Sequence, residues 1–194
     1  MIHIASKRKS AKTLAREFPN AIIVDVTSSS TSEYVKLSPF YPHGGIPVPN
    51  SEGITASCVE AVWQGLKVFE TTDIDTSLFS NTTMRNIKRT VRKYGRPLGH
   101  RFGVNSNTLL GYIEARKAIY IPTFQWVLEH KVTDLVKGLA DIASRQNLVL
   151  LDYDTNEDVE RVDKPLSHAS IIKLYIESNF TIKKHIPTNL FDYE

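Results

Sequence analysis

The pattern of apolar residues in the first 34 positions changes twice. Residues 2–5 and 21–26 are short runs rich in β-branched side chains, as found in strands. Between them, residues 10–18 have apolar positions four apart, which is the spacing of one helix face. Residues 1–34 are therefore predicted to form a strand–helix–strand extension at the start of the chain.

The second half of the chain contains the longest regular pattern. Residues 131–146 place apolar side chains every three or four positions, which predicts a helix packed against the core. An apolar run at 148–153 predicts a buried strand, and residues 167–178 again have helical spacing. From residue 182 onwards the pattern is lost, and a loosely packed tail is expected.

A helix is also predicted over residues 57–70, and its two sides differ in chemistry. The apolar side is expected to face the core and consists of Val59, Val62, Leu66 and Phe69. The polar side consists of Ser57, Glu60, Gln64 and Lys67. A carboxylate, an amide and an amine therefore share one ridge. Chemistry at this ridge requires that it line a cavity rather than face bulk solvent.

Proline, glycine and basic residues characterise three further segments. Residues 37–49 combine four prolines with aromatic side chains, which predicts an ordered loop. Residues 83–94 predict a helix that ends at Gly95, with basic side chains along one face. Residues 97–108 contain glycines and asparagines and are expected to form a loop.

These elements predict one α+β domain over residues 1–194, predominantly helical with a few short strands. The length suits a single core, and no internal repeat or linker divides the chain. The apolar runs are too short to span a membrane and no secretory signal is present, so a cytoplasmic protein with no membrane partner is expected. One cysteine and scattered histidines provide no disulfide and no metal-binding pattern.

The net charge of +3 is small, but the charges are unevenly distributed. No acidic residue occurs between Asp75 and Glu114, and this stretch is rich in arginine and lysine. A basic face of this kind favours an anionic partner such as a nucleic-acid backbone. The residues predicted to make those contacts are Arg85, Lys88, Arg89, Arg92 and Lys93.

Two motifs in this chain resemble those of the NADAR family. Leu37-Ser38-Pro39-Phe40-Tyr41-Pro42 is similar to a Leu-Ser-Asn-Phe-Tyr-Pro-like loop of that family. Ser57-Cys58-Val59-Glu60, followed by Gln64 and Lys67, is similar to its Thr-Ser-Glu helix, which ends in Gln-x-x-Lys. Weaker similarities are Gly95-Arg96, Trp126 with Lys131, and Val159-Glu160. The resemblance covers residues 35–178 and implies a NADAR-type core there.

The family's activities imply a function for this chain. Its bacterial members process riboflavin-pathway intermediates, and its toxin-associated members release ADP-ribose from guanine in DNA. The phage members that counteract ADP-ribosylating DNA toxins are the most similar in size and charge. The resemblance therefore implies an N-glycosidase that removes ADP-ribose from guanine in DNA, as a phage counter-defence acting in the host cytoplasm. It implies neither a metal nor a cofactor.

The chemistry of the bond suggests a role for each residue in the motifs. Cleavage of a ribosyl bond develops positive charge on the sugar, so the Glu60 carboxylate is expected to stabilise the transition state or orient water. Lys67, the second expected catalytic residue, could keep that carboxylate ionised, hold a phosphate, or attack an opened ribose as a nucleophile. The residues expected to bind substrate are Ser38, Phe40, Tyr41, Ser57, Gln64, Arg96, Arg101, Trp126 and Glu160.

Two alternatives remain open from the sequence. In the first, the same type of bond is broken in a small ribosylamino-pyrimidine phosphate, the substrate of riboflavin-pathway relatives. In the second, the chain is a non-catalytic module that binds nucleic acid or a toxin protein. DNA binding that survives Glu60→Gln, together with no product in any assay, would favour the second.

Overall fold

A three-stranded parallel sheet brings together distant parts of the sequence. The structure is a computed structural model that describes residues 1–180. The central strand β8 (Leu148–Asp152) pairs with β1 (Ile2–Ser6) on one side and with β2 (Ile22–Asp25) on the other. Helix α1 (Ala11–Glu17) connects β1 to β2 and packs against the sheet. Every residue of β8 is buried, as expected for a parallel strand covered on both faces.

The N-terminal segment is therefore an integral part of the core. The interpretation of residues 1–34 as an extension to a core at 35–178 was wrong, because β1 and β2 supply both neighbours of β8. The strand–helix–strand pattern itself is confirmed, and the buried strand predicted at 148–153 is confirmed over residues 148–152. The tail predicted from residue 182 lies outside the described residues.

The other elements are helices and two small antiparallel sheets. The further α-helices are α2 (Val59–Gly65), α3 (Val91–Tyr94), α4 (Tyr112–Ala115), α5 (Ile121–His130), α6 (Thr133–Arg145) and α7 (His168–Asn179). The short antiparallel strands are β3 (Ile46–Pro47), β4 (Thr55–Ala56), β5 (Lys67–Phe69), β6 (Pro97–Arg101) and β7 (Leu109–Leu110). Glu33–Leu37 and Thr76–Ser80 are 3-10 helices, and Arg116–Tyr120 is a π-helix that joins α4 to α5.

The largest core lies where α5, α6 and α7 pack against the parallel sheet. The apolar stripe of α6 is buried there, which confirms the helix predicted at 131–146. The result is a mixed α/β domain with about 40% helix and 16% strand. None of the helices within residues 1–180 is both long enough and apolar enough to cross a membrane.

The helix predicted over residues 57–70 is shorter than expected. Helix α2 begins after the N-cap Cys58, whose Sγ accepts a hydrogen bond from the backbone N–H of Ala61, and it ends at Gly65. Residues 67–69 instead form β5, which pairs with β6. The Leu66 carbonyl accepts from the backbone N–H of Arg101 at 2.9 Å. Pairing with a distant strand thus overrode the local helical spacing.

The helix predicted over residues 83–94 was wrong except for its last turn, α3. Met84 and Asn86 both have left-handed backbone conformations, with φ of 58° and 57°, which an α-helix does not accommodate. The side chain of Asn81 holds this turn by donating to the Arg85 carbonyl at 2.9 Å. The basic residues of 85–93 therefore do not share one helix face.

The loop predicted over residues 97–108 was also partly wrong, because β6 occupies its beginning. Gly99 lies inside this strand, where a Cβ atom would collide with the carbonyl oxygen of Leu110 on β7. Glycine is needed here because two backbones approach closely, which is a common reason for glycine within a strand. In the sequence, this glycine favours a loop, whereas in the structure it belongs to β6.

Two glycines on helices provide a matched test of packing. A Cβ at Gly65 would collide with the ring of Phe79 and lie 3.2 Å from the Asp75 carbonyl oxygen, whereas a Cβ at Gly138 in α6 would meet nothing within 4 Å. Gly65→Ala is expected to lower the free energy of unfolding by about 1–3 kcal/mol. Gly138→Ala is expected to raise it by about 0.5–1 kcal/mol. Urea denaturation of both variants measures the difference, and equal effects would contradict this account of the packing.

Candidate functional site

A cavity of about 300 Å³ lies beside α2 and the carboxyl ends of β2 and β8. The carboxyl ends of parallel strands are a common position for ligand sites. The predicted polar side of residues 57–70 does line this cavity, through Glu60, Gln64 and Lys67. The other lining residues are Thr27, Ser28, Ser38, Pro39, Phe40, Trp63, Lys88, Tyr112, Arg116, Tyr120, Asp152, Tyr153, Asp154, Pro165, Leu166 and His168.

Glu60 is a buried carboxylate with one oxygen held by the protein. It is 7% exposed, and its Oε1 accepts a hydrogen bond from Gln64 Nε2 at 2.9 Å. Gln64 is fixed in turn, because its Oε1 accepts from the backbone N–H of Arg89 at 3.1 Å. This chain of hydrogen bonds sets the orientation of the Gln64 amide and leaves Glu60 Oε2 to interact with a ligand. A fixed carboxylate in a cavity suits acid–base chemistry.

Lys67 reaches the same cavity from β5 rather than from the helix. Its Nζ lies 5.8 Å from the ring centroid of Trp63, which also lines the cavity. Burial lowers the pKa of Lys67, and the nearby cations Arg89 and Lys88 lower it further, while the Glu60 carboxylate opposes the shift. Glu60 and Lys67 thus interact electrostatically at one end of the cavity.

The loop after the first 3-10 helix forms part of the cavity wall next to α2. The backbone carbonyl of Pro39 accepts from the N–H of Glu60 at 2.9 Å, which attaches this loop to the first turn of the helix. Ser38 is buried, and its Oγ accepts from the N–H of Phe40. Lys88 Nζ lies 5.4 Å from the ring centroid of Phe40. The structure therefore brings two segments far apart in sequence, 38–40 and 88, to one rim.

A buried ion pair between the end of β8 and the start of α7 lines the cavity. His168 Nδ1 donates to Asp152 Oδ2 at 2.9 Å, and His168 Nε2 donates to the Val26 carbonyl at 2.9 Å. Since both ring nitrogens face acceptors, the ring is an imidazolium. Although burial opposes it, Asp152 raises the pKa of His168; likewise, despite burial, His168 lowers the pKa of Asp152. Asp152 Oδ2 also accepts from Ser167, so this carboxylate is engaged in structure.

The π-helix contributes a third wall. Its first residue, Arg116, is 2% exposed, and its guanidinium donates to the carbonyls of Val159, Arg161 and Lys164. These bonds hold the irregular segment between β8 and α7 against the cavity. π-helical turns occur often at functional sites, because the extra residue reorients the side chains.

Tyr120, the last residue of the π-helix, presents a phenol to the cavity. Its ring contacts Trp63 edge-on, at 5.5 Å between centroids, and stacks on Phe124. Burial, together with the Glu60 and Asp152 carboxylates, raises the pKa of Tyr120. The phenol therefore stays protonated and is a hydrogen-bond donor at any physiological pH.

Trp63 is itself supported by a buried histidine. His100 on β6 stacks on Trp63 with 3.7 Å between ring centroids. Both of its ring nitrogens lack hydrogen-bond partners among the described residues, and burial lowers its pKa to about 3. His100 is thus a neutral packing partner behind the cavity wall.

Several residues predicted to bind substrate do not line this cavity. Each of these side chains contacts another residue or lies in a different part of the surface. Tyr41 packs on His43, Ser57 lines a separate shallow depression, Arg96 pairs with Glu70, Arg101 pairs with Asp73, Trp126 stacks on His130, and Glu160 pairs with Lys117. Short family-like motifs gave no information on which way these side chains point.

The basic segment also divides into residues with different environments. Arg85, Lys88, Arg92 and Lys93 are exposed, whereas Arg89 is 6% exposed. The Arg89 guanidinium donates to backbone carbonyls and lies 4.9 Å from the ring centroids of Phe69 and Tyr94. The prediction that Arg89 contacts a nucleic-acid backbone was therefore wrong, because its side chain is used inside the fold.

Some cavity residues were not anticipated from the sequence. The most important are Trp63, Arg116, Tyr120, Asp152 and His168. A partial signal existed for Asp152, since a polar residue at the carboxyl end of a buried strand is well placed for a site. The others lie on helices whose pattern could not distinguish a cavity from the core.

Residues 1–180 contain no group of three or more His, Cys, Asp or Glu side chains arranged to hold a metal ion.

Comparison with family models gave one finding. A model described as a family of unknown function, DUF6939, matches residues 6–172. No curated protein matches the chain.

Proposed function

The chain belongs to the DUF6939 family, whose function is unknown, and we propose that it is an N-glycosidase that uses Glu60 to break a ribose–base bond. One observation carries the proposal. Glu60 is a buried carboxylate that nevertheless lines a cavity, with one oxygen held by Gln64 and an ammonium group nearby. Buried carboxylates are rare unless they are paired or used in chemistry.

The reaction follows from the charge that the substrate develops. As the bond between C1′ and the base nitrogen breaks, positive charge builds on the ribose, and an adjacent carboxylate stabilises it. Glu60 orients a water whose oxygen forms the new bond to C1′, and the proton that this water loses passes to the carboxylate. The departing base nitrogen takes up a proton from solvent, and Glu60 then returns its proton to solvent, so the carboxylate is regenerated. Tyr120 and Gln64 supply hydrogen-bond donors around the same position.

The proposed substrate is DNA in which guanine carries ADP-ribose, and the proposed role is a phage counter-defence against the toxin that adds it. The resemblance to the NADAR family supports this choice. The charge distribution supports it as well, because Arg85, Arg92 and Lys93 are exposed along the segment whose Lys88 reaches the cavity rim. Exposed cations next to a cavity suit a substrate attached to a polyanion.

A small ribosylamino-pyrimidine phosphate is the second candidate substrate, and the size of the cavity favours it. A volume of about 300 Å³ is at the lower end for small-molecule sites. Such a cavity would enclose a mononucleotide, whereas a DNA-linked ADP-ribose would extend out of it. Withdrawal of Arg89 into the fold also reduces the basic surface available to DNA.

A comparison of two substrates tests the proposal. A guanine-ADP-ribosylated oligonucleotide and a ribosylamino-pyrimidine phosphate are each incubated with the protein, and release of the base or of ADP-ribose is followed by chromatography. Turnover of the oligonucleotide should exceed that of the nucleotide, and it should fall as salt is raised because DNA binding releases counterions. Faster turnover of the free nucleotide would favour the second candidate. No product from either would leave a non-catalytic binding module and refute the N-glycosidase.

A further inference from the structure

Lys67, Lys88 and Arg89 form a cluster of positive charge against the cavity. Lys67 and Lys88 line the cavity directly, and Arg89 lies behind them. None of the ion pairs within residues 1–180 involves any of these three cations. The Arg89 guanidinium donates only to backbone carbonyls, and its Nε has no partner in the described part of the chain. Its charge is stabilised by these hydrogen bonds but is not neutralised by a carboxylate.

The charges on this wall therefore do not balance. Glu60 is the one carboxylate whose charge acts on Lys67, against Arg89 and Lys88. Three positive charges and one negative charge leave this cluster net positive, with Lys88 over the ring of Phe40 and Lys67 over the ring of Trp63. Lys88 is exposed and Lys67 is partly buried, and both ammonium groups lie over aromatic rings that keep them charged, so this wall attracts an anion. A positively charged wall of this kind suits a phosphate monoester, which carries nearly two negative charges at neutral pH.

We propose that Lys67 and Lys88 form a subsite for the phosphate group attached to the ribose that lies at Glu60. The position of the ribose rests on the proposed function, whereas the anion itself follows from the charges on this wall. Ammonium groups bind phosphate as point charges. The Lys67 side chain enters the cavity from β5, and the Lys88 side chain enters it from the segment before α3. Lys67 is then a charged phosphate ligand rather than an amine nucleophile. The phosphate also fixes which end of the substrate enters the cavity.

Calorimetric titration with ribose 5-phosphate and with ribose tests the subsite without requiring turnover. The wild-type protein should bind ribose 5-phosphate at least roughly tenfold more tightly than ribose, since hydrogen bonds to charged groups contribute about 1.5–3 kcal/mol. Lys88→Ala and Lys67→Gln should each reduce this preference by roughly tenfold or more. Lys88→Arg should retain it. Lys137→Ala, which removes an exposed cation from α6, is the matched control and should leave it unchanged.

Titration with ADP-ribose distinguishes the two sources of the phosphate. Tighter binding of ribose 5-phosphate would identify a terminal phosphate, as in a mononucleotide. Tighter binding of ADP-ribose, still dependent on Lys88, would identify a pyrophosphate. Both results support an anion subsite at these two lysines.

Two results would overturn the subsite. One is equal affinity of the wild-type protein for ribose and ribose 5-phosphate, and the other is a phosphate preference that survives in both lysine variants with native melting temperatures. Failure of the N-glycosidase proposal gives a different result, in which the phosphate preference depends on Lys88 but no substrate is cleaved. The two failures are therefore separable.

Discussion

Replacing Glu60 by glutamine is expected to lower kcat for base release by roughly a hundredfold to ten-thousandfold, the usual contribution of a positioned acid–base group. Glutamine has nearly the same shape, and its Oε1 can still accept the hydrogen bond that Gln64 Nε2 donates to Glu60 at 2.9 Å. The substitution thus removes the negative charge and the proton acceptor while keeping the packing of α2. Steady-state kinetics on the preferred substrate gives the ratio of rates.

Glu129→Gln provides the control for this change. Glu129 is an exposed carboxylate on α5 and does not line the cavity, so its substitution should leave kcat and KM unchanged. The KM of Glu60→Gln should also change little, because the carboxylate acts mainly on charge that develops in the transition state. Wild-type kcat in a Glu60→Gln variant of native stability would exclude Glu60 from the chemistry.

The Asp152→Ala variant is expected to lose about 3–5 kcal/mol of unfolding free energy, since it leaves a buried charge without its partner. Asp152 and His168 are 4% and 7% exposed, and the carboxylate also accepts from Ser167 Oγ at 2.7 Å. Removing it releases the N-terminal end of α7 from the end of β8. Urea denaturation measures the loss. The exposed pair between Asp163 and Arg161 is the control, and Asp163→Asn should not change stability measurably.

The contribution of this pair to stability should vary with pH in a defined direction. The pKa of His168 is raised in the folded state, so its contribution is complete below the unfolded value of about 6.5 and is lost as pH rises through the folded pKa. The pKa of Asp152 is lowered, so its contribution is complete above about 3.9 and is lost as pH falls through the folded pKa. The difference between wild type and Asp152→Ala should therefore be largest between about pH 4 and pH 6.5. A difference that instead grows above pH 8 would contradict the imidazolium assignment.

Residues 57–70 follow the local pattern of the sequence in part and depart from it in part. Apolar spacing correctly placed Val59, Val62 and Leu66 in the core, and it placed the opposite side chains together. The spacing could not show where the helix ends, because β5 forms only when β6 is present beside it. Lys67 still reaches the cavity beside Glu60, although from a strand. Glu60, Gln64 and Lys67 therefore lie together as predicted, although Lys67 belongs to a strand and not to the helix.

In the basic segment 85–93, by contrast, the sequence did not predict which side chains face solvent. The absence of acidic residues between Asp75 and Glu114 is a property of the sequence and remains true in the fold. Whether each cation faces solvent depends on its neighbours. Arg89 turns inward because backbone carbonyls and two aromatic rings surround its guanidinium, while Lys88, one residue earlier, faces the cavity rim. Adjacent residues of the same charge thus have different environments.

The sequence by itself determined the features that depend on local periodicity. These are the strand–helix–strand start, the amphipathic helix α6, the buried strand β8 and the two chemical sides of α2. Each follows from the spacing of apolar residues within about fifteen positions, because such side chains must share one face to be buried together.

Only the tertiary structure decided which distant residues meet. It placed β1 and β2 on either side of β8, joined Asp152 to His168, and brought Arg116 and Tyr120 to the cavity that Glu60 lines. These contacts link segments far apart in the chain, so their free energy depends on packing and on burial of charge in the assembled fold rather than on neighbouring residues. The local sequence pattern does not predict these contacts, so the cavity could be identified only from the three-dimensional structure.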